Sequence, residues 1–402
     1  MSEYKISIIC PVFNVEEYIE KSFDSLLNQT FGFSNLEIIY IDDCSTDNSP
    51  DIIDKYAQDY DNVFSYHLEE NSGFAGKPRN IGMEKSTSEF LLFLDSDDYL
   101  QYDACEKLYS HIKDDRSLDF ISGGYTNIYP NGDVLSQVPR GFKGIYANGK
   151  VVTKIPKGLP ECSIITDPMD DYELFSLNAL LAAKLIRKDF LLKNNIRFEE
   201  GIPAQDIIFT YLLLLHSDKL ALLNDYSAFN RVVRSESKNK SVSFNVSLKF
   251  LYDTLKAANR IADICEDYKI KDDFAYLALS RMLEYFLVKF ENPVLTGEDR
   301  EEIISSEEFS NFKNREFFRN RIEFQVIFDN IFNFGNNPKY ANHLRKKKME
   351  ELKYKEDIKD LKQENKKIKS KNKKLITKEK EIQGSTSWKL TSPLRKVGKK
   401  LK

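Results

Sequence analysis

The 402-residue chain has only five cysteines, Cys10, Cys44, Cys105, Cys162 and Cys265. They are scattered, odd in number and show neither CxxC nor Cys/His spacing, which argues against a disulfide frame or a zinc site and for a reducing compartment. No apolar stretch reaches the length of a membrane span. Met1 to Lys5 leads straight into a strand pattern, without the apolar core of a signal peptide. These absences predict a cytosolic protein. An aromatic-basic binding motif is also missing and most of the chain is acidic, so nucleic acid is not an expected partner.

The net charge of -4 is unevenly spread. From His343 onward there are 22 Lys+Arg and 8 Asp+Glu, leaving the preceding 342 residues strongly acidic. An acidic body with a basic tail predicts that the tail meets an anionic surface. With 28 Phe, 21 Tyr and 41% hydrophobic residues, the chain can fill two or three domain cores.

The most informative stretch is Phe90-Leu91-Leu92-Phe93-Leu94-Asp95-Ser96-Asp97-Asp98-Tyr99. A short, bounded apolar run reads as a strand buried on both faces, the kind found in parallel sheets covered by helices. In such sheets ligands gather at the carboxyl ends of strands, which is where Asp95 and Asp97 fall. Two acids there suit a hard divalent cation shared with substrate phosphates; as a short pattern they equally suit helix capping or plain solvation.

Upstream, Lys5 to Cys10 reads as a strand ended by Pro11-Val12-Phe13-Asn14, and Glu16 to Gln29 repeats apolar residues at a helical period. Leu36 to Ile41 is a second buried strand ending in Asp42-Asp43. Ser45-Thr46-Asp47 signals a helix start before Ile52 to Tyr60, and Val63 to Leu68 is a third strand. This alternation is the signature of an α/β sheet. Asn71 to Asn80 contains two glycines, Pro78 where a helix could begin, and the cations Lys77 and Arg79 near that N-terminus, a surface loop or a basic turn suited to phosphate or a nucleobase carbonyl. A helix is expected from Ile81 to Ser86.

Four motifs, Pro11 to Asn14, Asp42-Asp43 with Ser45-Thr46-Asp47, Asn71 to Asn80, and Asp95 to Asp98, stand in order over the first hundred residues. Together they resemble a family 2 glycosyltransferase with the GT-A fold. Gly76 to Asn80 with Asp97-Asp98-Tyr99 is similar to the wall teichoic acid sugar transferases within that family. The resemblance implies a Rossmann-like, mostly parallel catalytic sheet, a nucleotide-sugar donor that is most often a UDP-sugar, and Mn²⁺ or Mg²⁺. It implies that Pro11 and Asn14 line the nucleotide pocket and that Asp42 accepts a hydrogen bond from the base N–H. Asn71 and Arg79 would approach the base, Asp95 the ribose or sugar, and Asp97 the metal; Asp43 would touch the ligand or only support the turn. Many members carry an acidic pair ahead of a later helix, the second acid being the catalytic base. Here the pair is Gln205-Asp206 before Ile207 to Leu215, so Asp206 takes the base position and its neighbour departs from the pattern. Without the resemblance, Asp206 reads as an acid complementing a helix dipole. Leu220 to Leu223 and Tyr226 to Val233 read as a strand pair. Arg231, Arg234, Lys238 and Lys240 follow, with Ser241 and Ser243, where relatives fold a basic loop over the donor diphosphate.

The expected organisation is a catalytic domain over 1–243, an α-helical region over 244–337, a charged helix over 338–383 and a basic amphipathic tail over 384–402. Phe250, Leu251, Leu255, Ala258 and Ile261 share one helical face, which packing alone explains and which acceptor binding or dimerisation would also use. Leu361, Ile368, Leu375 and Ile382 recur every seven residues with Asn365 and Asn372 in the other seam position, a pattern shared by a two-stranded coiled coil and a single solvated helix. Trp388, Leu390 and Leu394 alternate with cations, as in a helix lying on an anionic membrane or in a disordered tail. The sequence thus predicts an inverting transferase moving a sugar to a hydroxyl of a cell-envelope polymer or lipid-linked glycan, peripheral at most to the inner membrane face. A sugar nucleotidyltransferase would need a Gly-rich basic loop straight after the first strand, and Pro11 to Asn14 is not one. The rival from another class is a non-catalytic sugar-nucleotide scaffold that assembles partners through the coiled tail.

Overall fold

A computed structural model of the chain describes residues 3–139, 141–145, 151–168, 174, 180–233, 246–270, 272–319, 321, 324 and 328. The apolar runs form the parallel strands β1 (Ile6–Val12), β2 (Leu36–Asp42), β3 (Val63–His67) and β4 (Phe90–Phe93). They lie in the order β3-β2-β1-β4. Strand β1 therefore has β2 on one side and β4 on the other, and the order in which strands are added to the sheet reverses there while all four stay parallel. The carboxyl ends of β1 and β4 consequently open a crevice, the place where sheets of this type take ligands.

Alternation along β1 divides the core. Ile6, Ile8, Cys10 and Val12 face one cluster with Phe23 and Leu26 of α1 (Ile19–Leu27), Ile53 of α2 (Ser49–Asp59) and Leu108 of α4 (Ala104–Ile112). Ile9 faces the other, with Met83 of α3 (Gly76–Lys85), Phe190 of α5 (Lys188–Lys193) and Ile208 and Phe209 of α6 (Gln205–His216). That second cluster continues without a break into α7 (Leu248–Asp267), α8 (Asp272–Phe290), α9 (Gly297–Ile304), α10 (Glu307–Lys313) and Phe318 of α11 (Glu316–Arg319). Residues 1–332 are one compact unit; 333–402, with the expected charged helix and basic tail, are a second unit that lies outside the described residues. Arg234, Lys238, Lys240, Ser241 and Ser243 also lie outside them.

Beyond β4 the sheet continues through β11 (Lys184–Arg187), antiparallel to both β4 and β6 (Phe120–Ile128). Antiparallel strands β7 (Val134–Val138), β8 (Gly141–Ile145) and β9 (Val151–Lys154) extend it. The expected strand pair 220–233 is instead one strand, β12 (Lys219–Val232), which runs parallel to β6 on both sides of a register shift between Leu222 and Ser227. Asn224 and Asp225 look like a turn in the sequence, but pairing with β6 keeps the backbone extended and absorbs them as a bulge. Strand β12 also pairs β10 (Cys162–Thr166) and the short β5 (Tyr99–Leu100).

Two further boundaries differ from expectation. Helix α3 starts at Gly76, five residues before Ile81, because Pro78 sits in the first turn, where its missing N–H costs no helical bond. Helix α2 starts at Ser49 with Pro50 in its first turn, and Asn48 caps it without a side-chain hydrogen bond. Asp47 of the expected helix-start signal accepts through Oδ1 from Ser49 N, the first residue of α2, and through Oδ2 from Glu16 N, while Ser45 Oγ accepts from Asn14 N, each at 3.0 Å. Among the described residues no helix is long and apolar enough to cross a membrane.

Candidate active site

The crevice is built from strand ends that hold one another. Asp43 N donates to Val12 O at 2.8 Å, tying the end of β2 to β1. Ser96 Oγ donates to Pro11 O at 2.9 Å, tying the acidic turn after β4 to the same strand. Asn14 takes a left-handed backbone conformation (φ 51°), and its Oδ1 accepts from Thr46 N at 2.8 Å, so its side chain fastens the loop after β2. Beside it Phe13 is 42% exposed at the mouth, an aromatic face that the sequence reading did not single out.

Asp42 is buried at the end of β2. Its carboxylate accepts from Ser45 N at 3.2 Å and lies 3.4 Å from His67 Nδ1. Asp43 faces the next loop: its oxygens accept from Ser72 N and Ser72 Oγ, both at 2.9 Å, and burial raises its pKa. Asn71 Nδ2 donates to Asp43 O at 2.9 Å, and Asn71 Oδ1 accepts from Gly73 N. Asn71 and Asp43 thus shape the loop that leads into α3.

Arg79 lies in the second turn of α3 and is 5% exposed. Its Nη2 donates to Asp95 Oδ1 at 2.5 Å and its Nη1 to Gln205 Oε1 at 3.4 Å; its Nε has no hydrogen-bond partner. The guanidinium lies 5.4 Å from the Phe198 ring centroid. One side chain therefore joins the end of β4 to the start of α6, and its reach from Arg79 to Gln205 spans 126 residues of sequence. Beneath it Phe198 stacks on Phe209 at 3.9 Å, and Phe93 meets both rings edge-on at 5.1 and 5.7 Å. Truncating a buried phenylalanine such as Phe93 costs about 3–5 kcal/mol, so this cluster fixes the separation of β4 and α6.

Asp95, Asp97 and Asp98 converge after β4, with one carboxylate oxygen of each within 4.8 Å of the others. In the sequence Asp95 and Asp97 together suit a divalent cation, and the resemblance gives the metal to Asp97. Asp98 joins it because Asp98 N donates to Asp95 O, folding the turn back, and Val232 N of β12 donates to Asp98 Oδ1 at 3.0 Å. Burial, then the charges of Asp97 and Asp95, push the Asp98 pKa well up; Arg231 on β12 opposes this. Like charges drawn together in this way suit a divalent cation with oxygen ligands, so the residues fit the ion that the motif implies. Arg231 stands beside this cluster.

Asp206 opens α6 after Ala204, which is held in a left-handed conformation (φ 57°), an uncommon backbone for a residue with a side chain. Burial raises the Asp206 pKa, while the Arg79 guanidinium and the Ile207 N–H hold it down. The Asp206 charge is also felt by two groups that the sequence reading passed over. Lys184, fully buried on β11, has its pKa pulled down to about 7 by burial, partly offset by Asp206. Tyr285 of α8 is pushed up to about 12 by burial and then by Asp206. Nothing in a one-dimensional pattern marks either, since both read as ordinary strand and helix residues.

Comparisons with known proteins agree with this architecture. The family model described as Glycosyl transferase family 2 matches residues 7–156. The glycosyltransferase GlyG of Streptococcus pneumoniae is 30% identical over 226 residues, 56% of this chain and 69% of that protein. The poly(ribitol-phosphate) beta-glucosyltransferase of Bacillus spizizenii is 32% identical over 270 residues, 66% of this chain. The chain spans only 38% of that protein's length. A crystal structure of residues 1–349 of S. aureus TarS in complex with UDP matches with a TM-score of 0.52 and 23% identity, over 77% of this chain and 80% of that one, a likeness of fold. The sheet with its acidic crevice is that of a GT-A glycosyltransferase fold. The chain belongs to glycosyl transferase family 2.

Proposed function

We infer that the chain transfers a sugar from a UDP-sugar to a hydroxyl of a polyol-phosphate cell-envelope polymer, with inversion at the anomeric carbon. The observation that carries the reading is the convergence, through Arg79, of Asp95 at the end of β4 with the start of α6, where Asp206 lies. The UDP in the TarS structure and the poly(ribitol-phosphate) in the relative's name supply the donor and acceptor classes.

In this reading the nucleotide base sits over β1 and β2 with Asp42 on its N–H, and Asn14 and Asn71 set the walls. Asp95 meets the ribose or sugar. The acceptor hydroxyl oxygen forms a bond to the anomeric carbon as its proton passes to Asp206, and the bond to the diphosphate breaks with the electron pair leaving on UDP. Burial raises the Asp206 pKa, and the Arg79 charge with the Ile207 N–H favours its ionised form in opposition to that burial. Asp97, with Asp95 and Asp98, would hold Mn²⁺ or Mg²⁺, which when bound would offset charge on the departing diphosphate. Arg231 and Arg234 would stand on the diphosphate side. The scaffold reading draws only on the Gln205 departure, and Gln205 has a place here as acceptor for Arg79. The 384–402 tail would hold the protein at an anionic inner leaflet, with the 338–383 helix pairing two copies.

The test is thermal stabilisation of the full chain by UDP-glucose and UDP-GlcNAc with and without Mn²⁺. A UDP-sugar at 100 times its Kd stabilises by about 2.7 kcal/mol. Asp97→Asn should abolish the Mn²⁺-dependent part. No response to any UDP-sugar, or a Mn²⁺ effect unchanged in Asp97→Asn, would overturn this reading of the site.

A further inference from the structure

The carboxylate that ends β2 is tied sideways. Asp42 and His67 are register partners in the parallel β2–β3 pair, so their side chains leave the sheet on one face at its carboxyl edge. Helix α2 packs beside β3 and brings Asp54 to the far side of the imidazole. The result is a chain of polar contacts: Ser65 Oγ donates to Asp54 Oδ1 at 2.5 Å, His67 Nε2 is 2.9 Å from Asp54 Oδ1, and His67 Nδ1 is 3.4 Å from Asp42 Oδ2. The Asp42 side chain is 4% exposed, whereas that of His67 is 38% exposed. Ser45 N, the backbone donor to Asp42, is at 3.2 and 3.4 Å from the two oxygens and leaves the carboxylate loosely held.

A neutral imidazole donates from one nitrogen only, so a ring with a carboxylate at each nitrogen favours the form that carries both protons. The ring is also rigid and planar, so it transmits the position of α2 to Asp42. We propose that His67 is a positioning residue for donor recognition: held by Asp54, it fixes the Asp42 carboxylate in the orientation that selects a uracil-type base. The proposal rests on the reading that Asp42 accepts from the base N–H. A uracil ring presents an N–H donor to a carboxylate there. A cytosine ring presents a lone pair at the same atom, which a fixed carboxylate repels. Loosening the carboxylate therefore weakens UDP binding more than CDP binding.

The experiment is calorimetric titration of the full chain with UDP and with CDP, comparing wild type with His67→Phe, His67→Asn, Asp54→Asn and Asp42→Asn. Leaving a buried charged acceptor without its donor lowers affinity on the order of fivefold to a hundredfold, so the preference for UDP over CDP should fall by at least the lower figure in His67→Phe. Asp54→Asn, which leaves the imidazole in place, should lower it in the same direction. His67→Asn, whose amide can donate from near the Nδ1 position, should restore part of it. In an Asp42→Asn background His67→Phe should change the preference no further. If Asp42→Asn lowers the preference while His67→Phe and Asp54→Asn keep it, His67 only fastens β3 to α2 and the proposal fails. If Asp42→Asn leaves the preference intact, the reading of Asp42 fails and the proposal fails with it.

Discussion

A single methyl group at Gly76 should separate catalysis from donor binding. Gly76 opens α3 against the loop that delivers Asp206, and an added Cβ would lie 2.2 Å from Glu199 O and 3.3 Å from Gln205 Cγ. Real Cβ atoms essentially never approach within 3.0 Å, and Glu199 O is backbone, so a rotamer change cannot relieve the contact. The loop cannot slide freely either. Asn80, one turn along α3, clamps Phe198 by both backbone groups, with Nδ2 donating to Phe198 O and Oδ1 accepting from Phe198 N, each at 2.9 Å. The displacement therefore falls on residues 199–206, which carry Gln205 and Asp206 away from Arg79. Overpacking of this kind costs about 1–3 kcal/mol, and a misplacement of about 1 Å costs on the order of 10²-fold in rate. Gly76→Ala should thus remain folded, lower kcat for UDP release in the presence of acceptor by about that factor, and leave the UDP Kd little changed, because the atoms that the added Cβ meets belong to Glu199 and Gln205 and not to Asp42 or Asn14. Circular dichroism melting, calorimetry and steady-state kinetics measure the three quantities. A folded Gly76→Ala protein with wild-type kcat would refute the argument that α3 sets the position of Asp206.

Two other expectations concern pH. Burial raises the Asp206 pKa, so the native state keeps this proton to higher pH than the unfolded chain does. Stability should therefore fall as pH climbs from the ordinary carboxylate range through the raised value, and Asp206→Asn should remove that slope and melt higher than wild type near neutrality; a mutant that melts lower at every pH would contradict it. His67 behaves in the opposite sense, since its contacts with Asp54 and then Asp42 raise its pKa above 6.5 against the effect of burial. Its contribution should be complete below about pH 6.5 and vanish as pH rises through the folded value, and denaturant melts of His67→Phe should lack this dependence.

Strands β1 to β4 were legible because each is a bounded apolar run, whereas β7 to β10 were not, and the acids that end β2 and follow β4 are visible in the sequence as Asp42-Asp43 and Asp95 to Asp98. What misled was punctuation. Pro78 marks a possible helix start in the sequence and does lie in the first turn of α3, but Gly76 reads as loop, and Asn224-Asp225, which separates two strand patterns, lies within β12. In both places tertiary contact decided, through Glu199 packed on Gly76 and β6 paired along β12. Arg79 was expected near the base on its position in the motif. Its contacts with Asp95 and Gln205 require residues far apart in sequence to meet, which no local pattern encodes. Lys184, Tyr285 and His67 were silent for the same reason: each is an ordinary residue in an ordinary element until the fold supplies its partners.

The central claim is a single displacement with Asp206 as the base. The most direct measurement is proton NMR of the glycan formed from an α-linked UDP-sugar and a poly(ribitol phosphate) acceptor, with released UDP quantified alongside for wild type and Asp206→Asn. The account predicts a β-linkage, one UDP released per linkage formed, and a rate about 10²–10⁴-fold lower in the mutant. An α-linked product, or UDP release that Asp206→Asn leaves undiminished, would contradict it.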